Sequence, residues 1–140
     1  MDTKTLRLMT PKELDRLYAQ GTAAMPQGRS RGTVLWFVNG KLRRFTSQFA
    51  SFIWRGKNFS GKTLVNNFLG LCVISAQVYP GKSMYDKKPA VILDYSASKI
   101  ASVKKVMDEI RKVGSRLYLG RAYSKKKFVL YFVLEFKKRE

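Results

Sequence analysis

The stretch KFVLYFVLEF, Lys127 to Phe136, limits the fold more than any other part of the chain. Read as a strand, it puts Phe128, Leu130, Phe132, Leu134 and Phe136 on one face, because side chains alternate with period two. Val129, Tyr131, Val133 and Glu135 take the other. Both faces are apolar, so both must be covered, one by a packed layer and the other by an interior or lid. The run TVLWFV, 33–38, has the same character. Such strands belong in a closed or layered β structure.

Four further runs look like strands: SFIWRGKNF, LCVISAQVY, AVILDYS and LYLGRAY. Asn39-Gly40, between two β-prone runs, specifies a tight hairpin joining strands near 33–38 and 41–46, since both central residues must take positive φ. KTLVNNFLG reads as a short helix or turn that Gly70 limits. Near the N-terminus, Thr10 is a helix N-cap, Pro11 the first helical residue, and Glu13 completes a capping box. Leu14, Leu17 and Tyr18 share one face of this helix before Gly21. Between residues 97 and 113 the apolar spacing suits a helix, with a turn followed by a strand from Met107 to Val113 as the alternative. With 140 residues the chain is one domain: N-terminal helix and linker over 1–27, then a β-barrel over 28–140. A barrel of seven or eight strands encloses just enough room for side chains or one small ligand.

The charge narrows the partners. Lys and Arg number 28 against 9 Asp and Glu, a formal +19, which favours nucleic acid, anionic lipid or acidic protein. There is no histidine, so His-based triads, His-metal sites and the usual neutral-pH proton shuttle are excluded. The single cysteine, Cys72, sits in LGLCVISA as a small apolar residue and excludes an internal disulfide and a multi-cysteine metal site. No segment has the apolar length of a membrane helix or signal peptide, so a soluble, cytoplasmic protein is expected, with no metal and no cofactor.

One motif points elsewhere. Gly56 to Thr63 matches the phosphate-binding loop G-x-x-x-x-G-K-[ST], and AVILD ends in Asp94 as a magnesium-binding strand would. That loop works only where a buried strand delivers it to the N-terminus of a long helix within a parallel sheet. The chain after Thr63 holds four strand-like runs and at most one helix, so we do not read it as a nucleotide hydrolase.

The order of short motifs resembles a family of small bacterial proteins named for a Gly-x-Trp-x-Gly motif, together with its companion domain of unknown function. The matching residues are Gly28 to Gly32, Trp54 to Phe59 (WRGKNF), Asp86 to Pro89, Leu119-Gly120 and Leu134-Glu135. The resemblance spans roughly residues 10 to 136. Ser30 stands where the family has its Trp, and Lys87-Lys88 replace a glycine-containing turn. It implies a single antiparallel calycin-like barrel, lipocalin-style, around a hydrophobic cavity, with a strand over 107–113.

Three functions are then open. The first is a lipocalin-like binding protein for a small hydrophobic or amphipathic anionic ligand. Trp36, Trp54, Tyr79, Tyr95, Tyr118, Tyr123 and Tyr131 are its candidate wall, with Asp94 beside them and Arg111 or Arg121 for an anionic head. The second is a module for RNA or single-stranded DNA, or for an anionic membrane surface. It would use Arg29, Arg31, Lys41, Arg43, Arg44, Lys125, Lys126, Lys127, Lys137, Lys138 and Arg139, with KLRRF, SKKK and KKR forming one contiguous face. The third is a small lyase, isomerase or cyclase, for which Asp94 and Glu135 are the carboxylates expected to be partly buried with raised pKa.

Overall fold

The structure, a computed structural model, describes residues 1–38, 57–68, 71–98 and 103–137. Two short helices, α1 (Thr3–Arg7) and α2 (Pro11–Gln20), precede β1 (Gly28–Phe37), β2 (Lys57–Ser60), β3 (Thr63–Phe68) and β4 (Leu71–Lys82). Then come β5 (Pro89–Asp94), β6 (Val106–Gly114), β7 (Leu117–Ser124) and β8 (Lys127–Phe136). Among the described residues each strand pairs antiparallel with the next, and β8 returns to β1, closing a barrel. The closure runs along β1 and β8, while β1 meets β2 over Gly28–Ser30. The expected mainly β, single antiparallel barrel with an N-terminal helix is what the chain forms.

The capping box forms as expected: Thr10 Oγ1 accepts from Glu13 N at 3.2 Å, and Glu13 Oε1 accepts from Thr10 N at 3.2 Å. The sequence reading missed α1, which Asp2 caps by accepting from Thr5 N at 2.9 Å. Strand β1 starts at Gly28, so the glycine motif lies inside the strand. The 106–114 segment is a strand because its partners on both sides are strands: Ile110 is in register with Val91 on one side and Gly120 on the other. Sheet pairing overrides helical periodicity there. The hairpin at Asn39-Gly40, and with it Lys41, Arg43, Arg44 and Trp54, lies outside the described residues, as do Lys138 and Arg139.

The phosphate loop is absent for a concrete reason. Ser60 and Thr63 are register partners, so Gly61-Lys62 is the two-residue turn of a β2–β3 hairpin, with Gly61 at φ +60°. Strand β3 follows, where a phosphate loop needs a helix and where a short helix or turn was expected. Thr63 Oγ1, which would reach magnesium, instead donates to the Ser60 carbonyl at 3.0 Å.

Alternation sorts the side chains into two cores. Val78, Val91, Leu93, Ile110, Leu130, Phe132, Leu134 and Phe136 form one cluster with Phe59 and Tyr118, which is the barrel interior. Their sequence neighbours Leu117, Leu119, Tyr131 and Val133 point outward and pack under Leu6, Leu14 and Tyr18 of the helices. The doubly apolar β8 is therefore covered on both faces, the outer one by α1 and α2. Two residues of the β7–β8 turn are strained: Lys125 and Lys126 have φ of 51° and 66° between the partners Ser124 and Lys127. Asn-Gly takes such a turn easily, and lysine there costs on the order of 1 kcal/mol per residue.

Candidate ligand-binding site

One end of the barrel opens where β1 and β7 begin and β6 and β8 end. A cavity of about 810 Å³ lies there, within the range of small-molecule sites. Arg29, Lys112, Arg116 and Lys137 line it, with no carboxylate among its described lining residues. Tyr118 and Phe136 form its apolar wall, their rings edge-on at 5.2 Å, and Phe136 in turn meets Phe59 at 5.6 Å. The cationic mouth thus leads onto the aromatic end of the interior core. Ser30, buried and in register with Phe136, occupies the inward position beside this mouth.

The linker after α2 partly roofs the opening. Thr22 exchanges backbone hydrogen bonds with Lys112, at 3.0 and 2.8 Å, and Ala24 O accepts from Tyr118 Oη at 2.9 Å. Burial raises the Tyr118 pKa, so its hydroxyl is a donor at neutral pH. Met25 and Gln27 then join the cavity wall.

The expected wall residues do not all meet here. Tyr95 and Tyr118 are in the interior cluster. Trp36 is on the outer face, donating from Nε1 to Met9 O at 2.8 Å. Tyr79 and Asp94 are also outside, joined by a 2.7 Å hydrogen bond. Burial would raise the Asp94 pKa, but hydrogen bonds from Ser96 and Tyr79 outweigh it and the net shift is downward. The raised pKa expected of Asp94 is therefore not found. Glu135, on the outer face, accepts from Thr3 Oγ1 at 3.2 Å. Asp94 ends β5 at one end of the barrel and Glu135 closes β8 at the other, so the two carboxylates form no joint site.

Arg111, Arg121, Tyr123 and Tyr131 do come together, but under α2 on the outside. Arg111 is 1 % exposed and holds Asp86 with two bonds, of 2.8 and 2.7 Å. It also donates to the carbonyls of Pro89, Tyr18 and Lys88. The Arg111 hydrogen bonds pull Asp86 down to a pKa of about 2. Arg121 donates to Asp15 at 2.8 Å and lies over the ring of Phe128 at 3.8 Å and that of Tyr85 at 4.4 Å. Glu109, which the sequence reading missed, accepts from Tyr18, Ser83, Tyr123 and the Met84 amide. Burial and these carboxylates raise the tyrosine pKa values, with Tyr123 and Tyr131 at about 12. This is a clasp: it joins α2 and the 83–88 loop to the barrel wall, and both guanidinium groups are already matched by carboxylates. They hold the fold rather than an anionic head.

The expected polyanion set is divided. Arg29 and Lys137 stand at the mouth, whereas Lys125, Lys126 and Lys127 stand at the opposite end of β8. At ~3.3 Å per residue, ten residues of strand separate the groups by about 33 Å. Arg31 is exposed on the outer face of β1, in register with Glu135. The described members do not make one contiguous face.

Neither a family model nor a curated protein matches the sequence. Among solved structures the chain is similar to a protein from Thermomonospora curvata, with a TM-score of 0.63 and 15% identity over 93% of this chain and 89% of that one. At that identity the likeness concerns the fold alone.

Proposed function

We propose that the chain is a lipocalin-like binding protein for a small amphipathic anion. The head would lie among Arg29, Lys112, Arg116 and Lys137, and the apolar part would enter past Tyr118 and Phe136. The observation that carries this reading is the meeting of four cations and an aromatic wall at one open barrel end. The meander order of the eight described strands supports it, since that is the strand order of lipocalins. The calycin resemblance gains support at Lys87, whose φ of 63° is the backbone that a glycine supplies in the family's Asp-Gly-x-Pro turn. No described helix is long and apolar enough to cross a membrane, and a cytoplasmic location suits the lone thiol of Cys72.

A fluorescent fatty acid is the direct probe. Arg116→Ala with Lys112→Ala should weaken its binding at least about tenfold, because each removes a charge-assisted contact. Tyr118→Ala should weaken it comparably by removing cavity wall. Raising the salt should change the parent's affinity only a few-fold, since the apolar part supplies most of the binding. Probe binding absent at every salt, beside tight oligonucleotide binding near 0.15 M salt, would replace this reading with the nucleic-acid one.

A further inference from the structure

We propose that the outer face around the Lys125-Lys126 turn docks the protein onto an anionic lipid surface. Lys125 N donates to Lys105 O at 3.0 Å, which fixes the turn beside the segment preceding β6. Lys104, Lys105, Lys125 and Lys126 together rim a groove of about 400 Å³ lined below by Met84, Met107 and the buried Tyr123. No carboxylate lies among its described lining residues. Met84 and its neighbour Tyr85 are 37% and 41% exposed, on a loop that also exposes Lys87 and Lys88. Exposed apolar side chains ringed by lysines suit a headgroup boundary, where the apolar groups enter the acyl region and the ammonium groups meet phosphates.

The floor argues for lipid over nucleic acid. Methionine is a flexible apolar filler that offers no flat platform for a base. Tyr123, which also lines the groove, is buried and packs its ring against Phe128 at 5.6 Å, and Arg121 already lies over the ring of Tyr85 at 4.4 Å, so neither tyrosine offers one. The turn itself adds a reason. Two lysines are kept in left-handed backbone where Asn-Gly would fit without strain, and strain retained in this way is a mark of sites that do something. This inference is independent of the ligand cavity at the barrel mouth.

Sedimentation with mixed phosphatidylcholine–phosphatidylglycerol vesicles at about 0.15 M salt tests it. Lys125→Asn with Lys126→Gly relaxes the turn, so this variant should melt higher than the parent while losing on the order of thirtyfold in vesicle affinity. Met84→Ser, which changes no charge, should lose about tenfold. Lys4→Gln with Arg31→Gln removes two exposed charges near Glu135, away from both the turn and the lining of the mouth, and should cost less than about threefold, provided docking is local rather than diffuse. Equal losses from the two double variants, or no effect of Met84→Ser, would overturn the proposal. So would a single-stranded oligonucleotide bound tightly through Lys125 and Lys126 by a protein that ignores the vesicles.

Discussion

Gly120→Ala should lower the melting temperature by on the order of 10 °C, or prevent folding altogether. Gly120 and Phe132 are register partners on the interior face, and the phenyl ring lies directly over the glycine. A Cβ at residue 120 would overlap three atoms of that ring, far inside contact distance. Phe132 is fully buried and has no solvent-side space to move into. The clash should therefore cost about 3 kcal/mol or more, the upper end for an overpacked core. Phe132→Leu alone should cost about 1–2 kcal/mol as a cavity, and in the Gly120→Ala background it should recover part of the loss. Thermal melts of the three variants check this. If Gly120→Ala melts with the parent, the ring is not seated on the glycine.

Asp86→Ala should cost about 3 kcal/mol, because it strands the buried Arg111 guanidinium without its carboxylate. The pH dependence has a definite sign. Folding lowers the Asp86 pKa from 3.8 to about 2, so the folded state prefers the ionised form. The stabilisation is fully present above about pH 4 and disappears as the pH falls toward 2. Parent and variant should therefore differ by a constant amount in neutral urea melts and converge in acid. A gap that persists unchanged at pH 2 would mean that the carboxylate charge is not what Arg111 needs. Arg111→Lys should fail to rescue the clasp, since one ammonium cannot make the paired bonds and also reach the Pro89, Tyr18 and Lys88 carbonyls.

The barrel was readable where the pattern is local. Strands β8 and β7 follow from alternation of apolar residues, and α2 from a capping box that forms as written. Strand β6 was ambiguous because its sequence, VMDEIRKVG, buries Asp108, Glu109 and Arg111. No apolar pattern announces a strand whose buried side chains are charged. Glu109 and Arg111 are tolerated because partners come from elsewhere: for Glu109, Tyr18 of α2 and Ser83 of the 83–88 loop; for Arg111, Asp86 of that loop. Such partners, remote in sequence, are invisible to a reading along the chain.

The same reason explains the site. Arginine and tyrosine suit a binding wall by chemistry alone, but the parity of each strand decides which way they face. Glu109, Arg111, Arg121 and Tyr123 share the outward parity and meet under α2, whereas Lys112 and Tyr118 are paired in register and meet at the mouth. Lys112 and Arg116 carried no distinguishing signal among 28 basic residues. Only the closure of the barrel gathers them with Arg29 and Lys137.

The claim that the cationic mouth holds an amphipathic anion is tested most directly by native mass spectrometry after loading with dodecyl phosphate. The parent should carry one molecule per chain, and Lys112→Glu with Arg116→Glu should carry none while keeping its fold. Equal loading of parent and variant, or an oligonucleotide retained by the parent in place of the lipid, would contradict the account.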